Sequence, residues 1–395
     1  MLSVNNQQQN QDPVVIVASQ RTAIGQFQGQ FSAYSAPQLA AAVIKQIVTQ
    51  TGISNNAIGE VLLGCVLSAG IGQAPARQAA IFAGLNNHTS CTTLNKMCGS
   101  GLKAIMLAHD SLLASSYEIM MAGGMESMTN APYILPKART GLRMGHSTLY
   151  DHMFLDGLED AYEKNTLMGV FAERCAKNYH FTREQQDAFA LESLSRAQKA
   201  IQNNLFKNEI VAVDSILTDE LPLKAKPDKI PLLKPAFDKN GTVTAANSSG
   251  ISDGASVQLM MRLSQAKKLG LRPLAKILGH STYSTLPADF TIAPIHAIKR
   301  LVESLEIKLE KIDLFEINEA FSVVTLAAIQ ELKLDPNKVN IHGGACALGH
   351  PIGASGSRIV STLVHALKNY QLKTGIASLC IGGGEAVAIA LEMID

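Results

Sequence analysis

The stretch NKMCGSGLKAIMLAHDSLLASSYEIMMAGGMES, Asn95 to Ser127, decides the fold. It sets a cysteine, Cys98, ahead of a Gly-Ser-Gly turn, continues as an apolar-periodic helix over 102–113, and passes into a buried strand bearing a Gly-Gly pair. The same order returns near the other end of the chain. There the Gly-rich passage VNIHGGACALGHPIGASG, Val339 to Gly356, opens the helix SRIVSTLVHALK and leads to GIASLCIGGGEAVAIAL, read as one strand with glycines inside it. A supersecondary unit used twice predicts a duplicated α/β architecture.

The flanking segments agree. PVVIVASQ (13–20) and VLLGCVLSA (61–69) read as buried strands, and 37–50 and 78–84 read as helices. PLAKILGHSTYS and DLFEINEAF supply strands to the second copy. Between the copies the texture changes, with Pro- and Lys-rich stretches and a charged amphipathic helix over 182–203, so this insertion is expected to carry binding or assembly contacts. The expected organisation is a disordered tail (1–12), a first half (13–126 with 250–272), a loop domain (127–249) and a second half (273–395).

Composition narrows the class. The 395 residues are 47% hydrophobic and 17% charged, with a formal net charge of +1, which suits a folded protein with no electrostatic footprint for nucleic acid or an anionic membrane. Six cysteines without a C-x-x-C pair point to reduced thiols in a cytoplasmic setting, not to a disulfide framework or a zinc site. The Asn/Gln-rich start lacks the features of a signal or transit peptide, EMID is not a peroxisomal tripeptide, and no apolar run reaches membrane-span length.

Three residues stand out chemically. Cys98 at a helix mouth is open to two readings, a buried structural cysteine or a nucleophile whose pKa is lowered by the positive end of the helix. His350 lies in a Gly-rich turn, where a base for that thiol could stand, and Cys380 closes an apolar strand ahead of three glycines. Asn318 and Glu319 follow a strand end, where polar side chains point into α/β clefts or cap a helix. A rival pattern, GISDG, matches the short G-x-S-x-G elbow of serine hydrolases and would make Ser252 the nucleophile.

Taken in order, NKMCGSGLKA, GGMESM, NSSGISDGAS, NEAF, GGACALGHPIGASG and CIGGGEA resemble the thiolase family from about Val14 to the C-terminus. The resemblance implies two βαβαβαββ halves in a five-layered αβαβα core with an inserted loop domain, assembled as a homodimer or homotetramer. It implies reversible Claisen condensation of acyl-CoA through an acyl-cysteine, with coenzyme A thioesters as substrates and no cofactor or metal. Cys98 then resembles the acylated nucleophile, His350 its base, and Cys380 the acid/base acting on the α-carbon. Asn318, through a water, resembles His350's partner in one oxyanion site. The backbone N–H groups of Cys98 and Gly382 resemble the other, and Ser249 resembles a pantetheine contact.

CGSG after the cysteine and Met168 look like the acetoacetyl-CoA-forming branch, with a degradative 3-ketoacyl-CoA thiolase as the alternative. A non-catalytic CoA- or lipid-binding protein on the same fold is the reading from another class. Three positions depart from the family's usual pattern: Leu167 in place of a histidine, Phe290 near a pocket methionine, and Glu385 in place of a methionine. Lys224, Lys226 or Lys229 is expected to meet the CoA phosphates where an arginine is common.

Overall fold

The computed structural model describes residues 12–394. The tail expected to be disordered therefore lies outside the described residues, except Asp12, whose carboxylate accepts from the Ser264 backbone N–H at 2.7 Å. The first half runs β1 (Val14–Thr22), α1 (Ala36–Thr51), β2 (Glu60–Gly64), α2 (Pro75–Phe82), β3 (Ser90–Leu94), α3 (Ser100–Leu113) and β4 (Ile119–Ser127). The insertion contributes α4 (Met168–Tyr179) and α5 (Arg183–Gln202), after which β5 (Ser252–Arg262) returns to pair antiparallel with both β1 and β4. The second half runs β6 (Ala275–Ser284), α6 (Ala293–Ser304), β7 (Leu314–Ile317), α7 (Ser322–Leu332), α8 (Ile352–Asn369), β8 (Thr374–Ile381) and β9 (Glu385–Met393).

Strand order exposes the repeat. The first half is ordered β1-β5-β4-β2-β3 and the second β6-β9-β8-β7, with a parallel bridge from Phe315 to Val339 in the place of a fifth strand. Among the described residues the two join through two residue pairs, Val15 with Lys276 and Ile16 with Ala275.

Alternation along the strands sorts side chains into three apolar layers, because successive strand residues face opposite sides of a sheet. Val15 and Val17 pack with α1 and α2 outside the first half, whereas Val14 and Ile16 pack inward with α3 and α8. Ile376, Ala388 and Ala390 face α6 and α7 outside the second half, whereas Ala377, Leu379 and Ile389 face the same inner layer. The result is helix, sheet, helix pair, sheet, helix.

The inner helices pack at backbone distance. A Cβ added at Gly101 of α3 would lie 2.8 Å from the Ser357 nitrogen of α8, and one at Gly356 would lie 2.5 Å from the Leu102 nitrogen. Gly124 of β4 is held likewise, its added Cβ 2.0 Å from the Gly353 carbonyl. This corrects one sequence expectation: α8 begins at Ile352, five residues before the expected start, because its glycines serve close packing and not a turn. A second correction concerns the long last strand, which is a hairpin turning at Gly383 and Gly384 with φ of +94° and +89°. Strand β2 also stops at Gly64, since the following N–H groups of Val66 and Leu67 go to the Glu126 carboxylate and not to a ladder.

In an exposed helix Gly→Ala gains about 0.5–1 kcal/mol. Gly356→Ala should instead cost about 1–3 kcal/mol through overpacking. A lowered thermal midpoint checks this, and a raised midpoint would contradict the backbone contact.

Candidate active site

The N-terminal ends of α3 and α8 and the β8–β9 hairpin converge on one cavity of about 790 Å³. Cys98, His350, Cys380 and Gly382 line it together, as do Leu167, Met168 and Ser249 from the insertion and its return. Asn318 does not reach the cavity wall. It is buried beside it, its Oδ1 accepting from Arg358 at 3.4 Å and its Nδ2 without a protein partner.

Cys98 precedes the cap residue Gly99 of α3 in a tight turn. The Ser100 hydroxyl accepts from the Lys96 N–H at 2.8 Å and donates to the Met97 carbonyl at 2.7 Å, and Met97 takes a left-handed φ of 49°. That conformation is unfavourable for a side chain by about 1–3 kcal/mol and is held by the turn. The Gly382 N–H and the cysteine's own N–H both favour the thiolate of Cys98.

The lowered thiol pKa expected from the helix end is not found. Burial pushes Cys98 up to about 11, with the two N–H groups opposing and the Glu126 charge adding to the rise. Desolvation of a thiolate outweighs a partial dipole here. Burial also takes His350 down to about 3, assisted by the Arg358 charge. The resting pair is therefore a neutral thiol and a neutral imidazole.

His350 is held in one tautomer by its neighbour. The Ser355 hydroxyl donates to the Pro351 carbonyl at 3.0 Å, so its oxygen accepts from His350 Nδ1 at 2.5 Å. The other nitrogen, Nε2, has no protein partner and carries the lone pair. Cys380, at the end of β8, is buried and raised well above the ordinary thiol range, by burial first and then by the neighbouring Cys98 charge.

Several supporting residues had no assigned role at the level of sequence. Glu126, inside GGMES, is fully buried and pushed by burial to about 7 while it accepts from Val66, Leu67 and the Gly353 N–H of α8. Ser355 lay in plain view in GASG, but nothing in a linear pattern says that it faces His350. Glu385, a noted departure, pairs with Lys96 at 2.6 Å and accepts from the Ser284 hydroxyl at 3.0 Å, tying the hairpin to the turn that carries Cys98. The Ser252 elbow is corrected: Ser252 is fully buried, donates to the Gly250 carbonyl at 2.8 Å and begins a strand, so no exposed strand–turn–helix nucleophile exists there.

The thiolase N-terminal domain matches residues 14–264 and the thiolase C-terminal domain residues 271–393, so the chain belongs to the thiolase family. Two relatives named acetyl-CoA acetyltransferase are similar over nearly their whole length. That of Cupriavidus necator is 48% identical over 96% of this chain and 99% of its own, and that of Pseudomonas aeruginosa is 47% identical over 96% and 98%. A crystal structure of a thiolase from Ascaris suum in complex with coenzyme A superposes with a TM-score of 0.93 at 42% identity, covering 97% of this chain and all of that one. The expected duplicated α/β fold is thereby established.

With both partners neutral, alkylation of Cys98 by iodoacetamide should accelerate with pH up to at least about 9 without levelling, since thiolate is the nucleophile. Mass-resolved alkylation rates check this; a plateau near neutrality would mean that a thiolate–imidazolium pair already exists.

Proposed function

We propose that the protein is an acetyl-CoA C-acetyltransferase, condensing two acetyl-CoA to acetoacetyl-CoA and CoA through an acetyl-cysteine. The observation that carries this is the convergence of two thiols from distant parts of the chain, Cys98 and Cys380, on one cavity with an imidazole beside them.

In the first half-reaction the Cys98 proton passes to His350 Nε2 and the thiolate attacks the acetyl carbonyl. The backbone N–H groups of Cys98 and Gly382 receive the oxyanion, an effect worth about 3–4 kcal/mol per donor in comparable sites. Collapse expels CoA, whose sulfur takes the Cys380 proton and leaves Cys380 as the thiolate. In the second half-reaction Cys380 removes the α-proton of a new acetyl-CoA. A thioester α-carbon is a weak acid, so the buried, strongly basic thiolate of Cys380 is matched to the task. His350, now protonated at Nε2, and Asn318 acting through a water hold the enolate oxygen. The free Nδ2 of Asn318 supports that part. The enolate then attacks acetyl-Cys98, releasing acetoacetyl-CoA and the Cys98 thiolate, which takes back its proton from His350.

Met168 and Leu167, at the start of α4, and Ser249 would bound the pantetheine arm and the acyl group. Lys226 and Lys229 line the cavity without an ion-pair partner among the described residues, whereas Lys224 is paired with Glu220. The two free lysines are the better candidates for the CoA phosphates. In this reading residues 127–249 form the loop domain, whose exposed Leu142, Met144 and Leu149 suit subunit contacts in a homodimer or homotetramer. The setting is cytoplasmic, consistent with six free cysteines. Among the described residues no helix is long and apolar enough to cross a membrane.

The apolar lining by Leu167 and Phe290 favours a second reading, a degradative 3-ketoacyl-CoA thiolase. Thiolysis decides between them: acetoacetyl-CoA should be cleaved at least about 10-fold faster than a long-chain 3-ketoacyl-CoA, a ratio of about 1.4 kcal/mol in transition-state binding, and the reverse order would establish the degradative branch. Intact mass after incubation with acetyl-CoA should show one acetyl group on Cys98. Cys380→Ser should still acquire it while losing at least about 100-fold in condensation, the scale of general-base catalysis. No adduct under any condition would leave a non-catalytic CoA binder. Charge reversal at Lys226 and Lys229 together should raise KM for acetyl-CoA about 5-fold or more at low salt, with the difference shrinking as salt screens the phosphates.

A further inference from the structure

At the far end of α3 from Cys98, about 15 Å along the helix axis, three donor side chains meet. His109 and Asp110 are neighbours on α3, and His280 reaches them from β6 of the other half. Both imidazoles approach the same carboxylate oxygen: Asp110 Oδ1 lies 3.2 Å from His109 Nδ1 and 2.9 Å from His280 Nε2. The three donor atoms all lie within 4.8 Å of one another, and the two rings stand edge to face with centroids 5.1 Å apart.

We propose that His109, Asp110 and His280 form a binding site for a borderline divalent transition ion such as zinc, structural and separate from the active site. Two imidazole nitrogens and one carboxylate oxygen are the donors such ions prefer. An ion bonded at about 2.0–2.1 Å sets neighbouring donors about 2.9–3.4 Å apart in tetrahedral or octahedral geometry. Two of the three donor–donor distances already lie in that range. His109 and His280 are largely enclosed while Asp110 is half exposed, which leaves the remaining coordination positions to solvent. Arg262, whose charge acts on His109 from outside the cluster, is paired with Asp12 at 3.3 Å.

The location gives the ion a task. The two sheets join through two residue pairs at Lys276 and Ala275, and His280 stands four residues further along the same strand. An ion held between α3 and β6 would brace that narrow seam. The sequence offers no spacing that announces it, since 170 residues separate Asp110 from His280.

The test uses the full chain, stripped of metal with a chelator and with its thiols alkylated so that no cysteine competes. Cobalt(II) titration should show one ion per chain with weak d–d absorption and no thiolate charge-transfer band. His280→Ala and the near-isosteric Asp110→Asn, which should fold normally by circular dichroism, should each weaken binding at least 10-fold. Zinc should raise the thermal midpoint of the unsubstituted chain and not that of either variant. Absence of saturable binding, or binding unchanged in both variants, would overturn the proposal.

Discussion

Everything in the cavity depends on two helices touching backbone to backbone. Gly101 and Gly356 let α3 and α8 approach closely enough for both N-terminal ends to reach one cavity wall. Those ends carry Cys98 and His350, which come from different halves and are separated by most of the chain. A side chain at either glycine would spread the helices, and with them the thiol and the imidazole. Gly124 against the Gly353 carbonyl fixes α8 to the sheet, so the Gly-Gly of GGMES is a packing device.

Enclosure sets the electrostatics. A helix end and two N–H groups favour a thiolate at Cys98, yet burial prevails and leaves thiol and imidazole both uncharged. A neutral pair is cheap to keep in a dry cavity, whereas an isolated buried charge is not. In the proposed reaction this also orders events. A thiolate at Cys98 would raise Cys380 further, so acylation of Cys98 keeps a like charge from forming beside Cys380 before Cys380 must ionise.

The departures from the family's usual residues become intelligible in pairs. Glu385 is not an isolated polar intruder after three glycines, because Lys96 and Ser284 satisfy it and so clamp the hairpin to the turn that carries Cys98. Leu167 caps α4 by backbone alone and presents an aliphatic side chain to the cavity. Phe290 is locked edge to face against Phe171 and Phe321, with ring centroids 6.2 and 6.4 Å apart, which makes that wall stiff and apolar.

The sequence by itself determined the repeated strand–helix order, the buried strand in PVVIVASQ, and the candidates Cys98, His350 and Cys380, because apolar runs, periodicity and glycine-flanked motifs are local properties. Tertiary structure decided the rest. It turned the glycines of GASG from an expected loop into the first turns of α8, split the last strand into a hairpin, and reversed the expected direction of the Cys98 pKa. It also joined residues that no spacing connects, Ser355 to His350, Glu385 to Lys96 and His280 to Asp110. The physical reason is common to all of these. Burial, close approach and hydrogen-bond partnership belong to the space around a residue, and that space is filled by segments brought from elsewhere in the chain.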